Sequence, residues 1–283
     1  MLQVARLSPK LLGDARELVE FFIRGQHNPD GAFCDRAGAS DLYYTVFGLE
    51  SLIALQAEPP VEAVTRYLHT VNLATLDFVH LACLARCWAG VRGVAPTEAI
   101  LTRLEEFRTP DGGYHQAPSA AHGTAYAAFL ALGAYQDLHT APPQPAALLS
   151  SLESLRARDG AFANVPGAAA GVTTATAAAV MLLRQLDRPP DAKLAEWLLS
   201  RALPAGGFFA LPGAPLPDLL STATALHALA GLHVRLDGLR EPCLDFIDSL
   251  WTNRGGFYGH WSDDAIDTEY TYYALLSLGH LTE

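Results

Sequence analysis

The sequence predicts an all-α protein, an (α/α)6 toroid of six helical-hairpin repeats and about twelve helices in a single domain over residues 1–283. Three observations carry this. A glycine loop recurs as DGAF at 30–33, DGGY at 111–114, DGAF at 159–162, AGGF at 205–208 and RGGF at 254–257. Its first glycines fall at 31, 112, 160, 206 and 255, with intervals of 81, 48, 46 and 49, so the first gap holds two units. A fixed period in this range marks an array of units that bury their apolar faces against one another. Finally, two classes of helix alternate, one amphipathic and one apolar on every side.

The amphipathic set is ARELVEFFIRG, VEAVTRYLHTV, TEAILTRLEEF, PAALLSSLESL, AKLAEWLLSRAL and EPCLDFIDSLW. Each carries apolar residues at i, i+3, i+4 and i+7 with charges opposite, which places one face on a core and the other in water. The apolar set follows the glycine loops, each run holding a Thr near its start: 41–52, 122–132, 171–183, 217–229 and 267–278. The unit without a glycine loop is LDFVHLACLARCW at 76–88, which keeps the Asp and the apolar run. An open solenoid would leave these apolar helices facing water along its concave side, so closure into a ring is expected. An Asp or Thr at each inner-helix start is expected to cap free backbone N–H groups; Asp41, Asp218 and Asp267 each stand four residues before their unit's Thr.

Composition removes several function classes. The formal net charge is −11 and basic residues are not clustered, which argues against nucleic acid and anionic membranes. The N-terminus does not read as a signal peptide, and no apolar run reads as a transmembrane helix. The four cysteines suit buried small hydrophobes rather than a disulfide framework, so a cytoplasmic location is the default expectation. Walker A, Gly-x-Gly-x-x-Gly, Gly-x-Ser-x-Gly and His-Glu-x-x-His motifs are absent.

The pattern of a glycine loop followed by D-x-x-x-T and an apolar helix resembles the prenyltransferase and squalene-cyclase repeat. The likeness is closest to the β subunits of protein prenyltransferases, in DGAFCDRAGASDLYYTVFGLESL (30–52) and GGFYGHWSDDAIDTEYTYYALLSLGHL (255–281), and it covers nearly the whole chain. It implies a central cavity for an isoprenoid chain, an isoprenoid diphosphate or other apolar small molecule as ligand, and a helical partner subunit. For the protein prenyltransferases it also implies a zinc ion. Where that zinc site would take Asp-x-Cys and a His, this chain has Asp218-Leu219-Leu220 and Tyr270 before Thr271. One carboxylate falls short of the donors zinc needs, so no metal cofactor and no zinc-dependent thiol prenylation are expected.

Three acids are candidates for catalysis: Asp264, Asp267 and Glu269 in DDAIDTE, because crowded carboxylates raise one another's pKa and can keep a proton. Candidate substrate contacts are Tyr44, Phe47, Tyr126, Trp261, Tyr270 and Tyr273, whose aromatic faces suit an isoprenoid or a carbocation, together with His122 and Asp218 at inner-helix starts. The leading expectation is an isoprenoid-handling prenyltransferase- or terpene-cyclase-like protein. The alternatives are a non-catalytic toroid that binds a lipid or a protein, and a carbohydrate-active (α/α)6 enzyme. The last needs two carboxylates across a cleft, such as Asp41 or Asp77 facing Asp264.

Overall fold

The computed structural model describes residues 1–282. Six apolar helices, each of 13 residues, follow the chain as α4 (Leu42–Ala54), α6 (Phe78–Gly90), α8 (Ala125–Asp137), α10 (Thr173–Gln185), α12 (Leu219–Gly231) and α14 (Thr268–His280). Each packs on the next, and α14 packs back on α4, so the inner ring is closed. The amphipathic helices α3 (Ala15–Gly25), α5 (Val61–Thr70), α7 (Thr97–Glu105), α9 (Pro145–Ser154), α11 (Lys193–Leu199) and α13 (Asp237–Ser249) form the outer layer. Two short helices, α1 (Leu2–Ala5) and α2 (Pro9–Leu12), precede them, and α1 packs against α14 and α4. The toroid of six hairpins is therefore the observed architecture.

The glycine loops and threonines work as one device. In four units the Phe N–H at the end of the glycine loop donates to a Thr hydroxyl of the following inner helix: Phe33 to Thr45, Phe162 to Thr176, Phe208 to Thr222 and Phe257 to Thr271. The Phe ring then lies buried between the layers, where an unpaired N–H would be costly. The unit at 111–132 departs from the other four. Its Thr124 is the N-cap of α8, and the position matching Thr45 is Ala128.

Capping follows expectation at Asp41, Asp77, Thr124, Asp218 and Asp267, each accepting a hydrogen bond from the N–H three residues on. Helix α10 has no side-chain cap; its Thr173 N–H donates instead to the Ala210 carbonyl. The helix α13 begins before the segment whose apolar pattern marks it, at Asp237, and runs through Pro242. In the second unit a 3-10 turn at Leu73–Thr75 stands where the others have a glycine loop.

All six inner helices start at the same end, because contacts run from one start to its neighbour's start or loop. His80 at the start of α6 meets Asp41 at the start of α4. The Tyr126 N–H donates to Asn164, the Leu219 N–H to the Gly259 carbonyl, and the Thr268 hydroxyl to the Tyr44 carbonyl. This end is the mouth of the toroid. Near the other end, Arg86 of α6 pairs with Glu50 of α4 and Asp137 of α8, tying three consecutive inner helices together.

Candidate active site at the mouth of the toroid

Helix α14 begins with Asp267 as N-cap and carries Glu269 in its first turn. A carboxylate is normally favoured there by the helix dipole. Burial wins at Glu269: with Asp267 adding to the effect, it raises the carboxyl to about 7, against the opposing pull of Tyr43 and Arg36. The Tyr43 hydroxyl on the adjoining helix α4 donates to Glu269 Oε1 at 2.6 Å.

Aromatic side chains converge on this carboxyl from several helices. Tyr43 packs edge-on to Phe47 and Tyr44, and Phe47 lies against Tyr272 and Tyr273 of α14. Tyr126 comes from α8, which stands opposite α14 in the ring order, yet its phenol feels the charge of Glu269. Burial pushes the Tyr126 and Tyr270 phenols up to about 12, and those of Tyr43 and Tyr273 higher still. Tyr43, Tyr126, Glu269, Tyr270 and Tyr273 nevertheless keep part of their surface accessible to water. These side chains are thus deeply surrounded by the ring without being sealed from water.

The rest of the acidic loop has a different job. Arg36, in the two-stranded hairpin of the first unit, donates from Nε to Asp267 at 2.7 Å and pairs with both oxygens of Asp263 at 3.0 Å. Its guanidinium also sits 5.5 Å from the centre of the Tyr270 ring. Burial disfavours the charge on Asp263, but Arg36 and the N–H groups of Gly259 and Ala265 outweigh it and hold the carboxyl below its usual range. Burial raises Asp267, which is only 3% exposed, in spite of the same arginine. These contacts, across 227 and 231 residues of sequence, join the last repeat to the first.

Sequence reasoning named eleven candidates, and six of them gather here: Glu269, Tyr44, Phe47, Tyr126, Tyr270 and Tyr273. Asp267 is a buried cap held by Arg36, and Asp218 caps α12 with its oxygens taken by the Ser221 N–H and hydroxyl. Asp264 and His122 are exposed on the rim. Trp261 is 47% exposed, with its indole N–H on Ser249 and its ring against Phe246. Sequence reasoning did not single out Arg36, His80 or Tyr43 as members of the mouth. The remaining signal for Arg36 is that it is the lone cation in DRAGAS, while DDAIDTE at 263–269 holds no basic residue.

His80 stands between Asp77 at 2.9 Å and Asp41 at 3.1 Å. The bond to Asp41 raises its pKa most, burial opposes, Asp77 adds, and the result is about 9. A histidine raised in the folded state stabilises the fold fully below its unfolded value near 6.5 and loses that contribution as pH rises through about 9. His80→Gln is therefore expected to lower the melting temperature at pH 6 and to change it little at pH 10. Melting curves across this range check it, and an equal loss at both ends would remove the charge as the cause.

The donors present do not fit a catalytic zinc site. At the positions where the resemblance implies zinc ligands the chain has Asp218, Leu220 and Tyr270, and both oxygens of Asp218 are engaged by Ser221. Asp41 and Asp77 are both tied to His80 and to helix caps, and Asp264 is exposed on the rim.

The profile of the prenyltransferase alpha-alpha toroid domain matches residues 3–80, 81–182 and 173–283. The chain belongs to that family. Solved structures agree on the fold of this prenyltransferase-type toroid. The type II terpene cyclase MstE from Scytonema, in complex with geranylgeranyl dihydroxybenzoate, is 12% identical, with a TM-score of 0.66 over 97% of each chain. Candida albicans protein geranylgeranyltransferase-I complexed with GGPP is 17% identical, with a TM-score of 0.50 over 98% of this chain and 81% of that one. A glycosidase variant in complex with glucose is 13% identical, with a TM-score of 0.61 over 99% and 96%. A search of curated protein sequences returns no match. One fold thus serves three chemistries, and the choice among them rests on the site.

Proposed function

We propose that this toroid cyclises an isoprenoid by protonating one of its double bonds, with Glu269 as the acid. The observation that carries the reading is a carboxyl that caps no helix and sits on the Tyr43 hydroxyl amid aromatic rings, where burial raises it to about 7. Among the acids at the described inner-helix starts, Asp41, Asp77, Asp218 and Asp267 are engaged as caps, whereas Glu269 accepts only from Tyr43. Glycoside hydrolysis uses two carboxyl groups, whereas protonation of an alkene needs one acid and a wall that tolerates a cation.

In the proposed step the Glu269 O–H bond breaks and its proton forms a C–H bond with the less substituted carbon of a trisubstituted alkene. The π electrons of that alkene supply the new bond, leaving a tertiary carbocation. The next alkene attacks, a carbon–carbon bond closes the ring, and a proton lost to water restores neutrality. Tyr43 hydrogen-bonds the carboxylate that remains, and the faces of Tyr126, Tyr270 and Tyr273 stabilise the passing positive charge. Zinc has no part in this step.

The test is incubation with C15, C20 and C30 polyprenols and their aromatic esters, followed by mass and NMR analysis of the products. A cyclic isomer of the substrate is expected. Transfer of the prenyl group to an added thiol, or hydrolysis of oligosaccharides in its place, would contradict the reading.

A further inference from the structure

We infer that the mouth of the toroid docks on an uncharged, zwitterionic lipid bilayer through the tips of three consecutive loops. The loops are residues 163–172, 209–217 and 258–266, preceding α10, α12 and α14. Each tip presents one large apolar side chain to water: Val165 at 60%, Leu211 at 47% and Trp261 at 47% exposure. They lie side by side on one end of the molecule. The start of α10 is hydrogen-bonded to the second loop, through Thr173 to Phe209 and Ala210, and the start of α12 to the third, through Leu219 to Gly259.

Composition names the occupant. The stretches 163–172, ANVPGAAAGV, and 209–217, FALPGAPLP, contain no charged residue, in a chain whose net charge is −11; the third loop, YGHWSDDAI at 258–266, holds Asp263, which is paired with Arg36, and Asp264, which is exposed. Alanine, proline and glycine offer no charged or hydrogen-bonding side chains to specify a protein surface. Two uncharged loops and a tryptophan whose indole N–H is already satisfied by Ser249 suit the boundary between lipid headgroups and acyl chains. With no cation on these loops and an exposed Asp264 beside Trp261, anionic lipid should repel the rim rather than attract it. The inference rests on the rim alone and stands whatever reaction the ring performs.

The test is co-sedimentation of the full chain with phosphatidylcholine vesicles, with and without added phosphatidylserine. Partitioning onto phosphatidylcholine is expected, insensitive to salt and weakened by phosphatidylserine. The combined variant Val165→Ser, Leu211→Ser, Trp261→Ser should reduce it by roughly tenfold or more, given the apolar area withdrawn. Val94→Ser is the control. Val94 is 92% exposed but follows the C-terminus of α6, at the opposite end, and its loss should change nothing. Trp261 fluorescence should shift to the blue on binding. Absence of partitioning, partitioning retained by the triple variant, or binding that grows with phosphatidylserine would overturn the inference. Sedimentation of a second protein from lysate with the rim, in place of vesicles, would reassign the surface to a protein partner.

Discussion

Glu269→Gln is expected to abolish cyclisation, by about a thousandfold or more, in a protein that folds as before. Glutamine keeps the size of the side chain and an oxygen for the Tyr43 hydroxyl, but it carries no transferable proton. Asp264→Asn, in the exposed rim, should leave turnover near the wild-type level. The pH dependence separates an acid from a mere contact. With the Glu269 carboxyl at about 7, its protonated form prevails below that value, so activity should decline as pH rises through 7. Stability should carry the same signature. A carboxyl raised from 4.5 to about 7 binds its proton more tightly when folded, so it costs stability progressively as pH climbs through that window. Glu269→Gln removes that cost, on the order of 1–3 kcal/mol once solvent screening is discounted, and should melt above wild type at pH 8 but not at pH 4. A wild-type turnover in Glu269→Gln would reassign the acid.

Gly255→Ala is expected to cost about 3 kcal/mol or more of stability, read from denaturant unfolding. Gly255 opens the last glycine loop with φ near +93°, and a Cβ placed there would lie 2.2 Å from the Leu18 carbonyl oxygen of α3. Outer helix α3 belongs to the first repeat, so the clash falls where the ring closes. Gly160 is the control, because its φ is similarly positive, at +87°, but its Cβ would meet nothing within 4 Å. Gly160→Ala should therefore cost only about 1 kcal/mol, from backbone strain alone. Similar losses at the two sites would mean that conformation, and not the close approach of α3, dictates glycine at 255.

The ring was legible in the sequence because its cause is repeated. Each Phe of a glycine loop and each Thr about a dozen residues on recur as a pair, and the structure shows them bonded, as in Phe208 to Thr222. Closure followed from the uncharged inner helices, which have no place to face except one another. The acidic stretch DDAIDTE was visible, but its division of labour was not. Asp263 and Asp267 answer to Arg36, more than two hundred residues away, and no local pattern reports that pairing. What sets Glu269 apart is depth within the ring and the hydroxyl of Tyr43 from the first repeat, both consequences of closure. Trp261 misled in the opposite sense: its place in an aromatic run suggested the interior, whereas its loop turns it out to the rim.

The most direct test of proton-initiated cyclisation is the mass of the product formed in D2O. A Glu269 carboxyl exchanged with solvent delivers one deuteron to the first alkene carbon, so the cyclic product should carry a single deuterium at that carbon. An undeuterated product would mean that the carbocation arises by loss of a leaving group, and Glu269 would not be the initiating acid.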